Sequence, residues 1–285
     1  GDSLKAALVV HSINQTFHID ITLRDIFNHI TIESLAEFIS SAETNSFEDI
    51  QPVEEKEYYT LSSAQKRQYA LSELYKEGIA YNITQVVKVE ANLDVERVKE
   101  TFDLLIKRHE SLRTSFELQD GLIVQHIHDI VQNNFTYRIA READIDEIID
   151  QFIVPFELDK APLLRTCVVR TEQQNYYIIL DIHHIITDGT SIGILMKEFA
   201  RIYNNEKLSE HRLNYKDYAV WQERNKNSEK IMKQKEYWLK EFGNHIPLLN
   251  MPTDYKRPSK QVFEGNSVSF TINDEVTSRL KNLSR

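Results

Sequence analysis

From Tyr176 to Ile182 the chain is an almost unbroken run of apolar β-formers, the pattern of a strand buried on both faces. Immediately afterwards Ile192, Leu195, Met196, Phe199 and Ile202 recur at helical spacing, with Thr190 or Ser191 placed to cap the helix. Between the two lies Asp181-Ile-His183-His184-Ile-Ile-Thr-Asp188-Gly189, so two histidines, an aspartate and a glycine fall in a strand-to-helix loop. In α/β sheets such loops, at the carboxyl ends of strands, are where ligands tend to bind.

The same reading extends in both directions. Residues 1–41 have a helical pattern: Ser3 stands at a capping position before Leu4, Ala7, Leu8 and Ile13, Asp20 to His29 forms a short helix or turn, and Thr31 caps a helix striped by Ile32, Leu35, Ala36 and Ile39. Residues 42–57 carry glutamates, Asn45, Ser46 and Pro52 with almost no apolar period, which reads as a linker. From Tyr58 the pattern changes. A helix opens at Leu61-Ser-Ser-Ala-Gln65-Lys-Arg67 and runs through Leu74, Val86 to Val89 suggest a strand, and Asp94 caps a helix that turns Val95, Val98, Phe102, Leu105 and Ile106 inward. Gln119-Asp120-Gly121 predicts a hairpin turn, Ile145 to Phe152 a helix, and residues 164–170 and 176–182 two strands joined at 172–175. Strands alternating with helices predict an α/β layered domain over 58–285, behind an all-α segment over 1–41 and the linker.

Composition narrows the function classes. A net charge of −10 without a basic cluster argues against nucleic acid as a partner, and no apolar run is long enough for a bilayer. The single cysteine, Cys167, sits in an apolar strand-like run, cannot form an internal disulfide, and is expected to be buried; a reducing cytoplasm fits. Adjacent His183 and His184 cannot readily share one tetrahedral ion, and no metal-ligand spacing appears, so no metal is expected. The chain starts without methionine and stops partway through a helix-like stretch, as expected of part of something larger.

The string from His183 to Gly189 has the form HHxxxDG and resembles the signature of the condensation domains of nonribosomal peptide synthetases and their chloramphenicol-acetyltransferase-like relatives. Four further stretches resemble that family's other motifs in the family's order: Ser63-Ala-Gln-Lys-Arg67, Arg108-His-Glu-Ser-Leu-Arg113-Thr, Pro155-Phe with Pro162-Leu-Leu-Arg165, and Tyr215-Lys-Asp-Tyr-Ala-Val-Trp221-Gln; Pro252 to Pro258 follows. Upstream, Gly1-Asp2-Ser3-Leu4 and the helices after it are similar to the later part of a peptidyl carrier domain. The resemblance implies a chloramphenicol-acetyltransferase-like lobe, with the beginning of a second lobe, behind a partial helical carrier bundle. It marks Ser3 as the attachment point of covalent 4′-phosphopantetheine, a group suited to a helix N-terminus.

The implied reaction is amide formation, in which an acceptor amine attacks a donor thioester. His184 is the residue the resemblance marks as catalytic, as base or as hydrogen-bond donor to the tetrahedral intermediate. His183 is expected to shape the loop, Gly189 to allow close passage of backbone or a pantetheine arm, and Asp188 to form an ion pair with Arg108 or Arg113 that fixes the loop. Partners implied are donor and acceptor carrier domains, an adenylation domain and other modules, and a phosphopantetheinyl transferase. The opening motif with Tyr81-Asn-Ile83 looks most like domains taking an L-configured donor. An epimerization domain of the same fold is an alternative, as is a truncated module that docks a carrier without turnover; a heterocyclization domain, with aspartate in place of the histidines, is not. A free-standing acyltransferase is disfavoured by the carrier segment.

Overall fold

The computed structural model describes residues 3–42, 49–243, 246–256, 258, 263, 265 and 268–284. The linker expected over 42–57 and the motif at 252–258 therefore lie partly outside the described residues. The chain divides into two compact units, Gly1–Lys233 and Gln234–Arg285.

The first unit begins with helices α1 (Ser3–Phe17), α2 (Leu23–Asn28) and α3 (Ile32–Ser41). Ser3, expected as a cap, is the first residue of α1. Ile19 and Ile21, between α1 and α2, are buried, and buried Asn14 has both ends of its amide satisfied by Ile21: Nδ2 donates to the carbonyl (3.0 Å) and Oδ1 accepts the N–H (2.9 Å). Thr31 caps α3 as expected, accepting from Ser34 N–H at 3.1 Å.

After the linker come β1 (Tyr58–Thr60), α4 (Ser63–Leu74), β2 (Asn82–Val89), α5 (Val95–Arg108), β3 (Thr114–Gln119), β4 (Leu122–Ile127), β5 (Asn134–Ala140), α6 (Ile145–Phe152), β6 (Leu164–Thr171), β7 (Tyr176–His183), α7 (Gly189–Tyr203), α8 (Tyr215–Asn225) and α9 (Glu229–Phe242). The second unit takes the end of α9 and holds α10 (Asp274–Leu283), capped by Asn273. The strands form two sheets. A small one has the order β1-β4-β3, and its β3–β4 hairpin turns on Asp120 and Gly121, both with positive φ (50° and 80°), as two-residue turns of this kind require. The larger has the order β2-β7-β6-β5, antiparallel except for the parallel pair β5–β6.

Alternation along β7 decides which helices cover it. Its even-numbered residues Tyr176, Ile178, Leu180 and Ile182 pack with Val98, Phe102 and Leu105 of α5, with Leu164 and Val168 of β6, and with Leu195 of α7. On the other face Ile179 meets Cys167 and Val169 of β6 under Ile145, Ile148, Ile149 and Phe152 of α6. The strand expected to be buried on both faces is so, and Cys167 of the neighbouring β6 is fully buried against it. A third cluster, Leu61, Phe116, Leu158, Leu163 and Ile185, joins the small sheet to the loop after β7. By the same parity Asp181 and His183 lie on the α6 face, just before the chain leaves the sheet.

Candidate active site

The loop after β7 is held from both sides. His183 N–H donates to Leu163 O (3.1 Å) and His184 N–H to Tyr81 O (2.8 Å), so the two histidines start from a fixed backbone. Below them Asp181 is fully buried and accepts from Asn82 Nδ2 (2.8 Å), Thr84 Oγ1 (3.1 Å) and Arg165 Nη1 (3.3 Å). Burial pushes its carboxyl above the usual range against the pull of those three donors. Arg165 in turn lies over the Phe156 ring, 3.7 Å from its centroid.

His183 and His184 are adjacent and opposite in character. His183 is 4% exposed, and its Nδ1 accepts the Ile185 N–H at 3.1 Å. Its proton is therefore on Nε2, donated toward Ser72 Oγ at 3.3 Å. Burial, aided by the neighbouring His184, lowers its pKa to about 4, so at neutral pH it is an uncharged wedge that shapes the loop. His184 is exposed, and its Nδ1 lies 2.8 Å from Thr187 O. A carbonyl only accepts, so Nδ1 carries the proton in the neutral ring and Nε2 keeps its lone pair.

His184 lines a cavity of about 260 Å³ together with residues from three of the motif stretches: Gln65 of α4, Glu110, and Tyr215 with Lys216 at the start of α8. Lys216 and Glu110 form an ion pair at 2.8 Å, with 9% and 18% of their side chains exposed. Burial works to lower the Lys216 pKa, but the hydrogen bond and charge of Glu110 outweigh it and the net direction is upward. Tyr215 is fixed from the other side by Ser62, oxygen to oxygen 2.9 Å. The sequence motifs contain Gln65, Glu110, Tyr215 and Lys216, yet nothing in their spacing assigned them to one cavity.

Asp188 departs from expectation. Its carboxylate pairs with neither Arg108 nor Arg113; it is the N-cap of α7, where Oδ1 accepts the Ser191 N–H (2.8 Å) and hydroxyl (2.7 Å). Those bonds hold its pKa below the usual carboxylate range. The expected cap, Thr190 or Ser191, is thus replaced by Asp188, with Ser191 as its partner. Arg108 instead grips Glu198 of α7 with Nε and Nη2 (2.9 and 3.2 Å), and Arg113 Nη1 donates to the His128 carbonyl. Neither arginine is among the residues that line the cavity. Gly189 opens α7 with an ordinary φ, and a Cβ there would meet no described atom within 4 Å, so the described chain itself does not require glycine at this position.

Comparison with known proteins bears on both parts of the chain. The family model described as "Condensation domain" matches residues 55–285, and the one described as "Phosphopantetheine attachment site" matches residues 1–39. Bacitracin synthase 2 of Bacillus licheniformis is 44% identical over 99% of this chain and 11% of its own length. Gramicidin S synthase 2 of Aneurinibacillus migulanus is 42% identical over 95% of this chain and 6% of its own length. The chain thus spans about a tenth or less of these curated relatives. Among solved structures, a four-domain nonribosomal peptide synthetase bound to AMP and glycine superposes with a TM-score of 0.67 at 25% identity, over 84% of this chain and 19% of that one.

Proposed function

This chain belongs to the condensation-domain family, and from that premise we propose that it forms the His184 side of an amide-forming site in a nonribosomal peptide synthetase. The substrates are two carrier-bound thioesters. The acceptor's α-amine adds to the donor carbonyl, a C–N bond forms, the C–S bond breaks, and the donor chain passes to the acceptor as its carrier thiol departs. An α-amine has a pKa near 8, so about a tenth is neutral at pH 7 and a moderate base suffices. His184 supplies it: Nε2 takes the proton that the nitrogen sheds as the amide forms. The observation that carries this reading is the Thr187 carbonyl on Nδ1, which fixes the tautomer with a basic Nε2 in a residue exposed at the cavity.

His183 and the Asp188 cap position the loop, and Arg108 and Arg113 brace its surroundings through Glu198 and His128. His184→Ala should lower the rate of chain transfer between loaded carriers by on the order of 10²–10⁴ in the full-length protein that carries this chain. Near-normal transfer in that variant would remove His184 from the chemistry.

The phosphopantetheine-attachment segment carries covalently attached 4′-phosphopantetheine, and Ser3 is our assignment for the residue that holds it. Ser3 opens a 15-residue helix whose first turn contains no acidic residue, so the positive end of the helix suits a phosphodiester. Once attached, the group supplies the thiol on which an acyl chain rides as a thioester. Incubation with coenzyme A and a broad-specificity phosphopantetheinyl transferase should add one phosphopantetheine by mass spectrometry, and none to Ser3→Ala. The partners this reading requires are the donor and acceptor carriers, an adenylation domain that loads them, and that transferase. Among the described residues no helix is long and apolar enough to cross a membrane, and with the one cysteine buried and free a cytoplasmic setting fits.

A further inference from the structure

Behind the cavity the fold brings together three ligating side chains from separate parts of the chain. His109 follows α5, Glu198 lies on α7, and His211 stands in the irregular segment before α8; one ligand atom from each lies within 4.8 Å of the other two. We infer that these three residues form a divalent-cation site of the zinc type, which ties the end of α5, the body of α7 and the approach to α8 together.

Two imidazoles and one carboxylate are a donor set suited to Zn²⁺ or Co²⁺ and poorly suited to Ca²⁺ or Mg²⁺, which take oxygen ligands. Imidazole binds a metal as the neutral ring, and Glu198 already holds both the Arg108 guanidinium (2.9 Å) and the His109 ring (2.7 Å). Its orientation is fixed by the Arg108 fork, the kind of outer hydrogen bonding that ligating carboxylates usually have. The His109 Nε2 to Glu198 Oε2 contact, 2.7 Å, is where the ion enters. His109 then moves its proton to Nδ1, and the lone pair of Oε2 that now receives the His109 N–H turns to the metal.

His211 completes the set from the exposed side, its ring centroid 4.9 Å from that of His109. Tetrahedral zinc with ligands at about 2.0–2.1 Å sets donors roughly 3.3 Å apart, so the His109–Glu198 contact at 2.7 Å must open slightly while His211, within 4.8 Å of both, closes in. His211 lies outside regular secondary structure, between α7 and α8, and supplies that movement. The guanidinium of Arg108 opposes a second positive charge, which makes this an exchangeable site rather than a tight structural one. Ser111 and Glu110, close after His109, and Tyr215, four residues after His211, line the substrate cavity. An ion here braces the back of that cavity without touching the reacting groups.

The test is a titration of the 285-residue chain with Co²⁺ as a coloured stand-in for Zn²⁺. A visible d–d band should grow to one equivalent, and Zn²⁺ should raise the melting temperature. His211→Ala, an exposed position, should weaken binding by at least about tenfold, with an unchanged circular-dichroism spectrum. His211→Cys should restore binding and add a thiolate-to-cobalt charge-transfer band. The inference is overturned if no band forms at millimolar Co²⁺. It is also overturned if His211→Ala binds as well as the parent, which would mean that another pair takes the ion, such as His126 and His128 with rings 4.2 Å apart.

Discussion

Two neighbouring histidines show how much a residue's chemistry depends on one hydrogen bond. His183 accepts a backbone N–H on Nδ1 and so protonates Nε2; His184 donates from Nδ1 to a backbone carbonyl and so keeps Nε2 basic. Burial then acts on His183, whose pKa it drives down to about 4. That shift sets a pH dependence of stability. Between about 4 and the ordinary value of 6.5 the unfolded chain binds this proton and the folded chain does not, so stability is greatest above 6.5 and falls as pH drops through that window. A difference of about 2.5 units corresponds to a loss of about 3 kcal/mol once the pH reaches 4. His183→Asn keeps an acceptor for the Ile185 N–H and does not titrate. Melting curves from pH 7 to pH 4 should therefore show a shallower acid slope in that variant, and an identical slope would mean that His183 contributes nothing to it.

At the scale of the element, α7 depends on Asp188 for its first turn. Thr187, Asp188, Thr190 and Ser191 are all good capping types, so the sequence offers several starts for this helix within one turn. The structure chooses Asp188 because the cap must sit where the loop leaves extended conformation, and Asp188 does, with φ −142° and ψ −176°. Asp188→Ala should cost about 1 kcal/mol of stability in urea denaturation, whereas Asp188→Asn, an equally good cap, should cost little. A large loss in the asparagine variant would show that the charge, not the cap, is what matters. The strand β5 is not among the elements predicted from the sequence, yet it is legible there: Phe135, Tyr137 and Ile139 alternate with Asn134, Thr136 and Arg138, the period of a strand. What only the fold supplies is its partner, the parallel edge of β6, with Asn134 opposite Arg165.

In the molecule as a whole, ties of long sequence separation set where the Ser63–Arg67 motif stands relative to α8. The Val53 N–H donates to Asp217 Oδ1 at 2.8 Å, the Ser63 N–H to Gln222 Oε1 at 2.7 Å, and Lys66 pairs with Glu223 at 3.0 Å, all three onto α8. Asp217 is 2% exposed, and its other oxygen accepts the Asn214 N–H at 2.7 Å. Asp217→Ala leaves two N–H groups without their acceptor, with an expected cost of about 2 kcal/mol. Hydrogen exchange should quicken at Val53 and Asn214 together. Unchanged protection at Val53 would mean that the end of the linker is held to α8 by something else.

Local chemistry determines much of this protein ahead of any tertiary contact. The buried central strand, the α5 stripe, the Asp120-Gly121 turn, the α6 helix and the histidine loop all follow from side-chain periodicity and turn stereochemistry, which act over a few residues and are written in the chain. Tertiary structure decided what depends on neighbours distant in sequence. It gave Asp188 to a helix cap, Arg108 to Glu198 and Arg113 to His128, where an ion pair between Asp188 and one arginine is the simplest reading of their charges. It set the tautomers of both histidines through backbone groups that no side-chain motif records. And it placed Gln65, Glu110 and Lys216 around one cavity, and His109 with Glu198 and His211 behind it. A hydrogen bond or an ion pair acts over about 3–4 Å of space, and only the folded chain fixes which residues lie that close.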